Sequence, residues 1–597
     1  MTDLTPASVT EPGTSVHAPD SPDSPWWRDA VIYQVYPRSF ADSDGDGVGD
    51  LPGVTARLPY LRDLGVDAVW LSPFYVSPMN DAGYDVAAYR DVDPLFGSLE
   101  DADTMIATAH DLGLKVLVDL VPNHTSSEHP WFQEALVSPP GSPARDRYMF
   151  RDGRGPAGDL PPNNWPSVFG GRGWSRVTEA DGRPGQWYLH LFDVTQPDLN
   201  WENPDVREEF HSILRFWVDR GVDGFRVDVA HGLVKNPDLP DWHGPVGLYD
   251  TVEAGGGSTD DGDDDEPTGV LDHNATGASP MWDQEGVHEI YRGWRTVLDA
   301  YGEPDRILCA EAWVKPLDRL VRYVRPDEMH QAFNFEFLDC HWDAAELRAV
   351  VEASLRTNDA VGAPTTWVLS NHDVVRHASR LGLDQDRPRP NGIRAEDPQP
   401  DAALGLQRAR AATAMMLGLP GGAYVYYGEE LGLPEHTTMP DRYRQDPTYH
   451  RTHHEVTGRD GCRVPMPWAK DQPSFGFGPG DEPWLPQPEV YGDLAVDQQD
   501  GVDGSTLELY RTLLDYRRRH RFGHGGLVWD ERCSDTVLAY RNVSGDGART
   551  LLVVTNTGAE PVGLPEGQVI AASGPLTAGG AVPRDTTAWV RLPVADD

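Results

Sequence analysis

Cysteine is scarce in this chain of 597 residues, which holds only four. They are widely spaced and form no CxxC pair, so the sequence predicts neither a zinc site nor a disulfide framework, as is typical of a reducing compartment. No run of about 18 apolar residues occurs, which argues against a membrane-spanning helix. The first 25 residues lack a basic start and an apolar segment, unlike a signal peptide. We therefore expect a cytoplasmic protein.

Positive charge is also in short supply. The chain has 50 Lys and Arg against 95 Asp and Glu, a formal net charge of −45. A surface this negative repels nucleic acid and anionic membranes, so we expect neither as a partner. The acidic, low-complexity stretch 253–269 predicts a solvated loop rather than a metal site. Apolar residues make up 39% of the chain, enough for a large core and more than one domain.

Eight short apolar runs recur along the chain, most of them followed by an amphipathic helical pattern. The runs are 31–36, 66–71, 114–120, 222–228, 306–311, 331–335, 366–370 and 423–427. Strands that alternate with helical crossovers predict an α/β fold, a closed parallel (β/α)8 TIM barrel. An open doubly wound sheet is the alternative, but no GxGxxG motif follows the first run.

Three segments fall outside this rhythm. Residues 1–27 are rich in Pro, Ser, Thr and Asp, which predicts a disordered tail. Residues 125–200 hold many Trp, Pro and Gly but no barrel unit, which indicates a subdomain inserted after the third strand. Short strand-like runs in 523–597 predict a C-terminal antiparallel β-sandwich. The barrel itself is then expected to comprise 28–124 and 201–522.

Four acids stand at the carboxyl ends of predicted barrel strands, the rim where such barrels build their active sites. Asp119 ends the third strand, Asp228 the fourth and Glu311 the fifth, while Asp373 follows the seventh. Glycosidic bond cleavage usually needs two carboxyl groups, one that attacks and one that donates a proton. When two carboxyl groups are crowded together their pKa values move apart, so one stays ionised while the other keeps its proton near neutral pH. Arg226 shares a strand face with Asp228 and is expected to keep it charged.

The motifs around these acids follow one another in a fixed order. They are DLVPNHTS (119–126), GFRVDVAHG (224–232), AEAW (310–313) and SNHDVVRHASR (370–380). In order and spacing they resemble the four signatures of the α-amylase family, glycoside hydrolase family thirteen. YDVAAYRDVDPLFG (84–97) and GRDGCRVPMPW (458–468) are similar to its α-glucosidase and oligo-1,6-glucosidase branch.

The resemblance implies a role for each of these residues. Asp228 is the implied nucleophile, which forms a covalent glucosyl-enzyme, and Glu311 is the implied general acid/base. Asp373 is expected to hold sugar hydroxyls and favour ring distortion, and Tyr84 to stack on the same sugar. The resemblance also implies contacts with this sugar from four further residues: His124, Phe192, Arg226 and His372.

Asp81 and Arg463 resemble the pair that holds the far hydroxyl of the terminal glucose in exo-acting members. The resemblance thus implies a retaining exo-α-glucosidase that acts on maltose-type oligosaccharides. Val229 is a residue that goes with α-1,6 preference in this branch, so oligo-1,6-glucosidase activity is an alternative. A transglucosidase is another, because the same carboxylates can pass the glucosyl unit to a sugar rather than to water. A non-catalytic sugar-binding or transporter-associated relative is a remote one, because the three acids are intact. We expect a monomer or homodimer without an organic cofactor.

The segment DSDGDGVGD (42–50) places acids at alternate positions, with Gly47 allowing a sharp turn. It resembles the first nine positions of an EF-hand loop, although Gly53 replaces the Glu of position twelve. The family branch carries a metal ion in the same loop, so the resemblance implies structural Ca²⁺ or Mg²⁺. Its implied ligands are Asp42, Asp44, Asp46, the carbonyl of Val48, and Asp50. A metal-free acidic turn is the alternative.

Overall fold

A computed structural model of the chain describes residues 10–21, 23–243, 279–544 and 546–593. The acidic stretch 253–269 lies outside the described residues. Each predicted barrel run contains a parallel strand, and the eight strands form one sheet. The strands are Val31–Val35, Ala68–Leu71, Lys115–Leu120, Gly224–Val227, Ile307–Ala310, Gln331–Ala332, Thr366–Val368 and Gly422–Tyr426.

The strand order closes this sheet into a barrel. Neighbouring strands run 6-5-4-3-2-1-8-7. The two ends of that series approach one another where the N–H of Asn334, just after strand six, donates to the carbonyl of Thr366 in strand seven at 3.2 Å. The predicted (β/α)8 barrel is therefore confirmed, and the carboxyl ends of all eight strands face the same rim.

In the part of the chain that the structure describes, eight helices connect or follow the strands. They span Leu51–Leu64, Leu99–Asp111, Pro204–Asp219, Val287–Asp299, Leu317–Leu320, Ala344–Asp359, Ala402–Leu417 and Thr506–His520. Six of them begin at an Asp, Asn or Ser whose side chain accepts a first-turn N–H, which contributes about 1 kcal/mol each. Shorter helices lie in the rim loops: Phe335–Asp339, His377–Arg380, Pro447–Arg451, Val490–Asp493 and Val496–Gln499. No described helix is both long and apolar enough to cross a membrane.

Large side chains fill the barrel interior. Trp70, Leu117, Cys309 and Tyr424, from four different strands, belong to one buried apolar cluster. Arg226 of strand four joins them, with its guanidinium carbon 5.1 Å from the centre of the Trp70 ring. The one strand that inserts a cation into the interior is thus the strand that leads to Asp228.

The inserted subdomain is present between strands three and four. It contains the helices Pro130–Val137 and Pro143–Asp146 and an antiparallel sheet of Phe150–Arg151, Pro184–Leu189 and Trp174–Thr178. A small two-stranded sheet, Tyr75–Val76 with Ala88–Val92, lies in the loop after strand two. Both insertions leave the barrel at its carboxyl rim, where they cover the candidate site.

The C-terminal region is an antiparallel sheet domain, as predicted. Its strands are Gly526–Trp529, Val537–Val543, Thr550–Asn556, Gln568–Ala572 and Thr586–Arg591. Within the described residues they form one six-stranded sheet rather than the two facing sheets of a sandwich. One face packs on the barrel instead: Trp589 Nε1 donates to the carbonyl of Ala414 at 2.7 Å. A barrel helix thus covers one face of the sheet, and apolar residues such as Val562 and Leu564 of the C-terminal region pack on the other.

The predicted disordered tail is wrong for part of residues 1–27. Ser15–His17 forms the edge strand of the C-terminal sheet, antiparallel to Gly526–Trp529. Just before it, the N–H and hydroxyl of Thr10 donate to the carboxylate of Glu352 on a barrel helix. These contacts are made with residues distant in sequence, so a polar local composition does not reveal them.

A buried acidic pair follows strand eight. Glu429 accepts the N–H of Tyr426 at 3.1 Å, and Glu430 accepts the hydroxyls of Tyr33 and Tyr60, each at 2.8 Å. Burial raises the pKa of Glu429 to about 8, with Glu430 adding to the effect. The folded protein therefore holds a proton on Glu429 that the unfolded chain releases at lower pH.

We expect the contribution of Glu429 to the stability of the protein to fall as the pH rises from about 5 to 8, because the Glu429 carboxyl keeps its proton there in the folded state and has lost it in the unfolded chain. Glu429→Gln removes this titration and keeps an acceptor for Tyr426. Its free energy of unfolding is expected to lose roughly 2–4 kcal/mol less than that of the wild type over this range. Chemical denaturation at each pH measures this, with the exposed Glu396→Gln as control. Parallel pH profiles for wild type and Glu429→Gln would contradict the prediction.

Candidate active site

The barrel rim brings the predicted catalytic acids to one pocket, with about 620 Å³ of empty volume. Asp228, Glu311 and Asp373 line it from the ends of strands four, five and seven. Five further residues singled out from the sequence also line it: Asp81, Tyr84, His124, Phe192 and His372. Arg226 lies directly below, with only 1% of its surface exposed.

Arg226 holds the nearby carboxylates together. Its Nη1 donates to Asp228 Oδ1 at 2.5 Å and to Asp119 Oδ1 at 3.0 Å. Its Nη2 stands 3.8 Å from Glu311 Oε2. Arg226 therefore offsets part of the buried negative charge at the end of strand four, and the hydrogen bond fixes one carboxylate oxygen of Asp228.

Glu311 is positioned by the turn that follows Asp228. The N–H of Val229 donates to Glu311 Oε2 at 2.7 Å, and the N–H of Ala230 donates to the Glu311 carbonyl at 2.8 Å. Val229 adopts φ 45°, a left-handed conformation that a β-branched residue rarely takes. Such strain is found where the surroundings demand it, here to direct an N–H at the carboxyl of strand five.

Contacts around Tyr84 hold His372 and His124 in place in the pocket. The Tyr84 hydroxyl donates to Asp119 Oδ2 at 3.0 Å, and its ring stacks on that of His372 with centroids 5.2 Å apart. His124 Nε2 lies 3.1 Å from the Tyr84 carbonyl. These contacts fix the orientation of three side chains that face the pocket.

Arg459 closes one end of the pocket. Arg459 Nη2 donates to Asp81 Oδ1 at 2.8 Å, and its Nη1 donates to Asp373 Oδ1 at 3.1 Å. We call this pair of contacts the Arg459 bridge. Arg463 contacts Asp373 and the carbonyl of His372 from outside the pocket lining. That Asp81 and Arg463 together hold the far hydroxyl of the terminal glucose stays a prediction; the guanidinium that contacts Asp81 directly is that of Arg459.

The profile of the alpha amylase catalytic domain matches residues 34–525. The chain belongs to the α-amylase family. A probable alpha-glucosidase of Rhizobium meliloti is 39% identical over 509 residues, which cover 83% of each protein. An oligo-1,6-glucosidase of Parageobacillus thermoglucosidasius is 34% identical over 563 residues, 89% of this chain and 90% of the relative.

Solved structures of related enzymes are similar to this α-amylase family member over nearly its whole length. The crystal structure of the alpha-glucosyl transfer enzyme XgtA has a TM-score of 0.77 and 36% identity, and covers 95% of this chain and 100% of its own. The trehalulose synthase MutB has a TM-score of 0.77 and 29% identity over 96% of this chain. The chain is thus a glycoside hydrolase of the family's α-glucosidase branch.

Burial and neighbouring charges shift the pKa values of the acids in this α-amylase family site in different directions. Burial raises the pKa of Asp228 and of Glu311. It would also raise the pKa of Asp373, but His372 and the guanidinium groups of Arg459 and Arg463 outweigh it and hold that pKa below the usual range. Asp373 is therefore ionised at neutral pH, whereas Asp228 and Glu311 compete for charge beside a single close cation, Arg226.

Several residues of the pocket were not predicted as site residues from the sequence. Arg459, His231 and Trp313 lie inside the motifs already quoted, so a signal for them was present. Trp282, Val168 and Phe169 come from loops without such a motif, and only the fold brings them to the rim. The pocket lining also includes Val229. Phe169 packs against the Arg459 bridge, with the guanidinium carbon of Arg459 5.1 Å from its ring centre.

The predicted metal loop brings three of its carboxylates together. One oxygen each from Asp42, Asp44 and Asp50 lies within 4.8 Å of the other two. An all-oxygen set fits a hard cation such as Ca²⁺. Asp46 does not join this group; it accepts the N–H of Val48 at 2.8 Å instead. Gly47 has φ 91°, the sharp turn expected of this loop.

Proposed function

We propose that the protein is a retaining, exo-acting α-glucosidase, which releases terminal non-reducing glucose from maltose-type oligosaccharides by double displacement. One observation carries the proposal: carboxyl groups from three barrel strands surround a single pocket whose one end the Arg459 bridge closes. Its α-glucosidase relatives and its membership of the α-amylase family support it.

In the first step Asp228 attacks the anomeric carbon and displaces the leaving sugar. The 2.5 Å hydrogen bond from Arg226 favours the ionised form of Asp228. Glu311 lies 3.8 Å from the same guanidinium and receives less of that charge. Burial raises the pKa of both acids, that of Asp228 well above its usual range, but the direct charge-assisted hydrogen bond to Asp228 leaves Glu311 as the proton donor in this proposal. Glu311 then protonates the leaving oxygen.

In the second step water cleaves the glucosyl-enzyme. Glu311, now ionised, takes a proton from that water, and the N–H of Val229 stabilises its negative charge. Asp373 is ionised throughout and accepts hydrogen bonds from sugar hydroxyls. The Arg459 bridge leaves no path for a chain beyond the terminal glucose, which accounts for exo action.

Double displacement returns the α configuration to the product. We expect proton NMR during hydrolysis of p-nitrophenyl α-glucoside to show α-glucose first, with β-glucose rising only at the rate of mutarotation. β-Glucose as the first product would contradict the proposal. Acid-equilibrated glucose in the same buffer is the control for the mutarotation rate.

Transfer of glucose to a second sugar is the other candidate reaction. The pocket lining favours it, because Phe192, Trp282 and Trp313 offer apolar faces that bind a sugar better than water. The same carboxyl groups catalyse both reactions. Chromatography at rising maltose concentration separates them, because transfer yields trisaccharides and hydrolysis yields only glucose.

The metal loop serves structure rather than catalysis in this proposal. Asp42, Asp44 and Asp50 would hold Ca²⁺ or Mg²⁺, and no ligand of the set lines the pocket. A bound ion neutralises three adjacent carboxylates and so rigidifies the loop after strand one.

Adding Ca²⁺ to protein treated with a chelator is expected to raise its Tm by a few degrees. Saturation at about 100 times Kd corresponds to roughly 2.7 kcal/mol, because the ion binds only the folded state. Differential scanning calorimetry measures the shift. Asp42→Asn should abolish it, and Asp46→Asn, outside the converging group, should retain it. Equal responses of the two variants would argue against this site.

A further inference from the structure

Arg459 has a third carboxylate partner that does not line the pocket. Asp446 Oδ2 accepts Arg459 Nε at 2.6 Å and the Arg459 backbone N–H at 2.7 Å, and Oδ1 lies 3.3 Å from Nη2. The Asp446 side chain is fully buried. Burial opposes its ionisation, but Arg459 lowers the pKa of Asp446 to about 2. A charge-assisted contact thus holds the inner edge of the guanidinium.

The Asp446 carboxylate is itself held on several sides. Its Oδ1 accepts the N–H of Thr448 at 2.8 Å at the start of the helix Pro447–Arg451. The N–H of Asp446 donates to Asp460 Oδ2 at 3.1 Å. Gly458 packs on it with φ +76°, and a Cβ there would lie 2.7 Å from Asp446 Cγ. The loop therefore fixes one position for this carboxylate.

The planar guanidinium of Arg459 couples the position of the Asp446 carboxylate to the pocket. Because its five donors lie in one rigid fork, fixing Nε directs Nη1 and Nη2 together. Asp446 takes the Nε edge, and Asp373 and Asp81 take the Nη1 and Nη2 edges. Without Asp446 the Nε edge loses its anchor, so the two remaining carboxylates and the Phe169 ring have to hold the fork, and the geometry of the Arg459 bridge is less well fixed.

We propose that Asp446 is a positioning residue for exo specificity, which acts through Arg459 to keep the far end of the pocket closed around the terminal glucose. The inference rests on the proposed α-glucosidase function. It assigns Asp446 no contact with substrate. We expect Asp446 to affect recognition of the hydroxyl at carbon 4 of the sugar, which is the one farthest from the reacting carbon.

The test compares two substrates with one enzyme preparation. The ratio of kcat/KM for p-nitrophenyl α-glucoside to that for its 4-deoxy analogue measures recognition of the far hydroxyl, and a loss of folded protein cancels from it. Asp446→Asn is expected to lower this ratio about tenfold or more, since a polar site rejects an analogue that lacks its hydroxyl. A folded Asp446→Asn protein with the wild-type ratio would overturn the proposal.

A double-mutant cycle tests whether Asp446 acts through Arg459. In an Arg459→Ala background, Asp446→Asn should change the ratio by less than roughly twofold, because the partner is already gone. A further large fall would overturn the proposed route. Asp530→Asn is the matched control: Asp530 also pairs with two arginines, Arg532 and Arg541, but in the C-terminal sheet. The ratio of the two kcat/KM values for Asp530→Asn should equal that of the wild type.

A second variant keeps the proposal testable if Asp446→Asn does not fold. Gly458→Ala displaces the Asp446 carboxylate by steric contact and should lower the same ratio, whereas an unchanged ratio counts against the role of Asp446. Wild-type protein inactive on both substrates would overturn the α-glucosidase function itself. That result is visible before any variant is made, so the two failures are distinct.

Discussion

Asp228→Ala protein is expected to cleave p-nitrophenyl α-glucoside about 10⁴-fold or more slowly than the wild type, because it lacks the group that forms the glucosyl-enzyme. The loss is expected in kcat, since the pocket and the Arg459 bridge that bind the sugar stay in place. Exposed Asp91→Ala, in the sheet beside the rim, is the control. Undiminished sugar release by Asp228→Ala would overturn the enzymatic proposal.

Azide identifies the face on which Asp228 acts. The alanine variant leaves room for a small anion where the carboxylate stood, beside the guanidinium of Arg226. Azide is expected to restore turnover of the aryl glucoside and to yield β-glucosyl azide, because it attacks from the side that Asp228 occupied. Isolation of the α-azide from this variant would contradict the nucleophile assignment.

The barrel could be predicted because its signals are local. Each strand run carries its own apolar pattern, and most of the helices have their own capping residue, so the repeats are visible without tertiary information. The edge strand Ser15–His17 has no such pattern. It exists because Gly526–Trp529 offers unpaired backbone groups, and that partner is distant in sequence. Likewise, the single C-terminal sheet depends on packing against Ala402–Leu417, which no local pattern reports.

The candidate site was predictable where a residue sits at a strand end, and less so in loops. Asp228 and Glu311 follow directly from strand positions, because the barrel geometry alone sends them to the rim. Arg459 and Arg463 are four residues apart in one loop, and both carry a guanidinium group. Which of them reaches Asp81 depends on how Asp446 and Gly458 fold that loop, so spacing could not decide between them.

Glu311→Gln should separate the acid role from the base role through the leaving group. Maltose departs as a poorly stabilised alkoxide and needs a proton, so its kcat/KM is expected to fall about 10³-fold. p-Nitrophenolate leaves unaided, so the loss for the aryl glucoside should be at least about tenfold smaller. Steady-state kinetics on both substrates measures the difference, with the exposed Glu396→Gln as control. Equal losses would argue against proton donation by Glu311.

The pH profile provides a second reading of the same change. Burial raises the pKa of Glu311, so the wild-type activity on maltose should persist above the usual carboxyl range and fall when Glu311 loses its proton. This alkaline limb is expected to vanish in Glu311→Gln, whose side chain does not titrate. The acidic limb, set by protonation of Asp228, should remain. A retained alkaline limb would assign the proton to another group.

Azide applied to Glu311→Ala completes the comparison with Asp228. Here the glucosyl-enzyme still forms with an aryl glucoside, because that leaving group needs no acid. Azide then attacks the intermediate from the face opposite Asp228, so the expected product is α-glucosyl azide. Opposite anomers from two alanine variants require the two carboxyl groups to stand on opposite faces of one glucose. The same anomer from both would be incompatible with the arrangement of Asp228 and Glu311 proposed for this pocket.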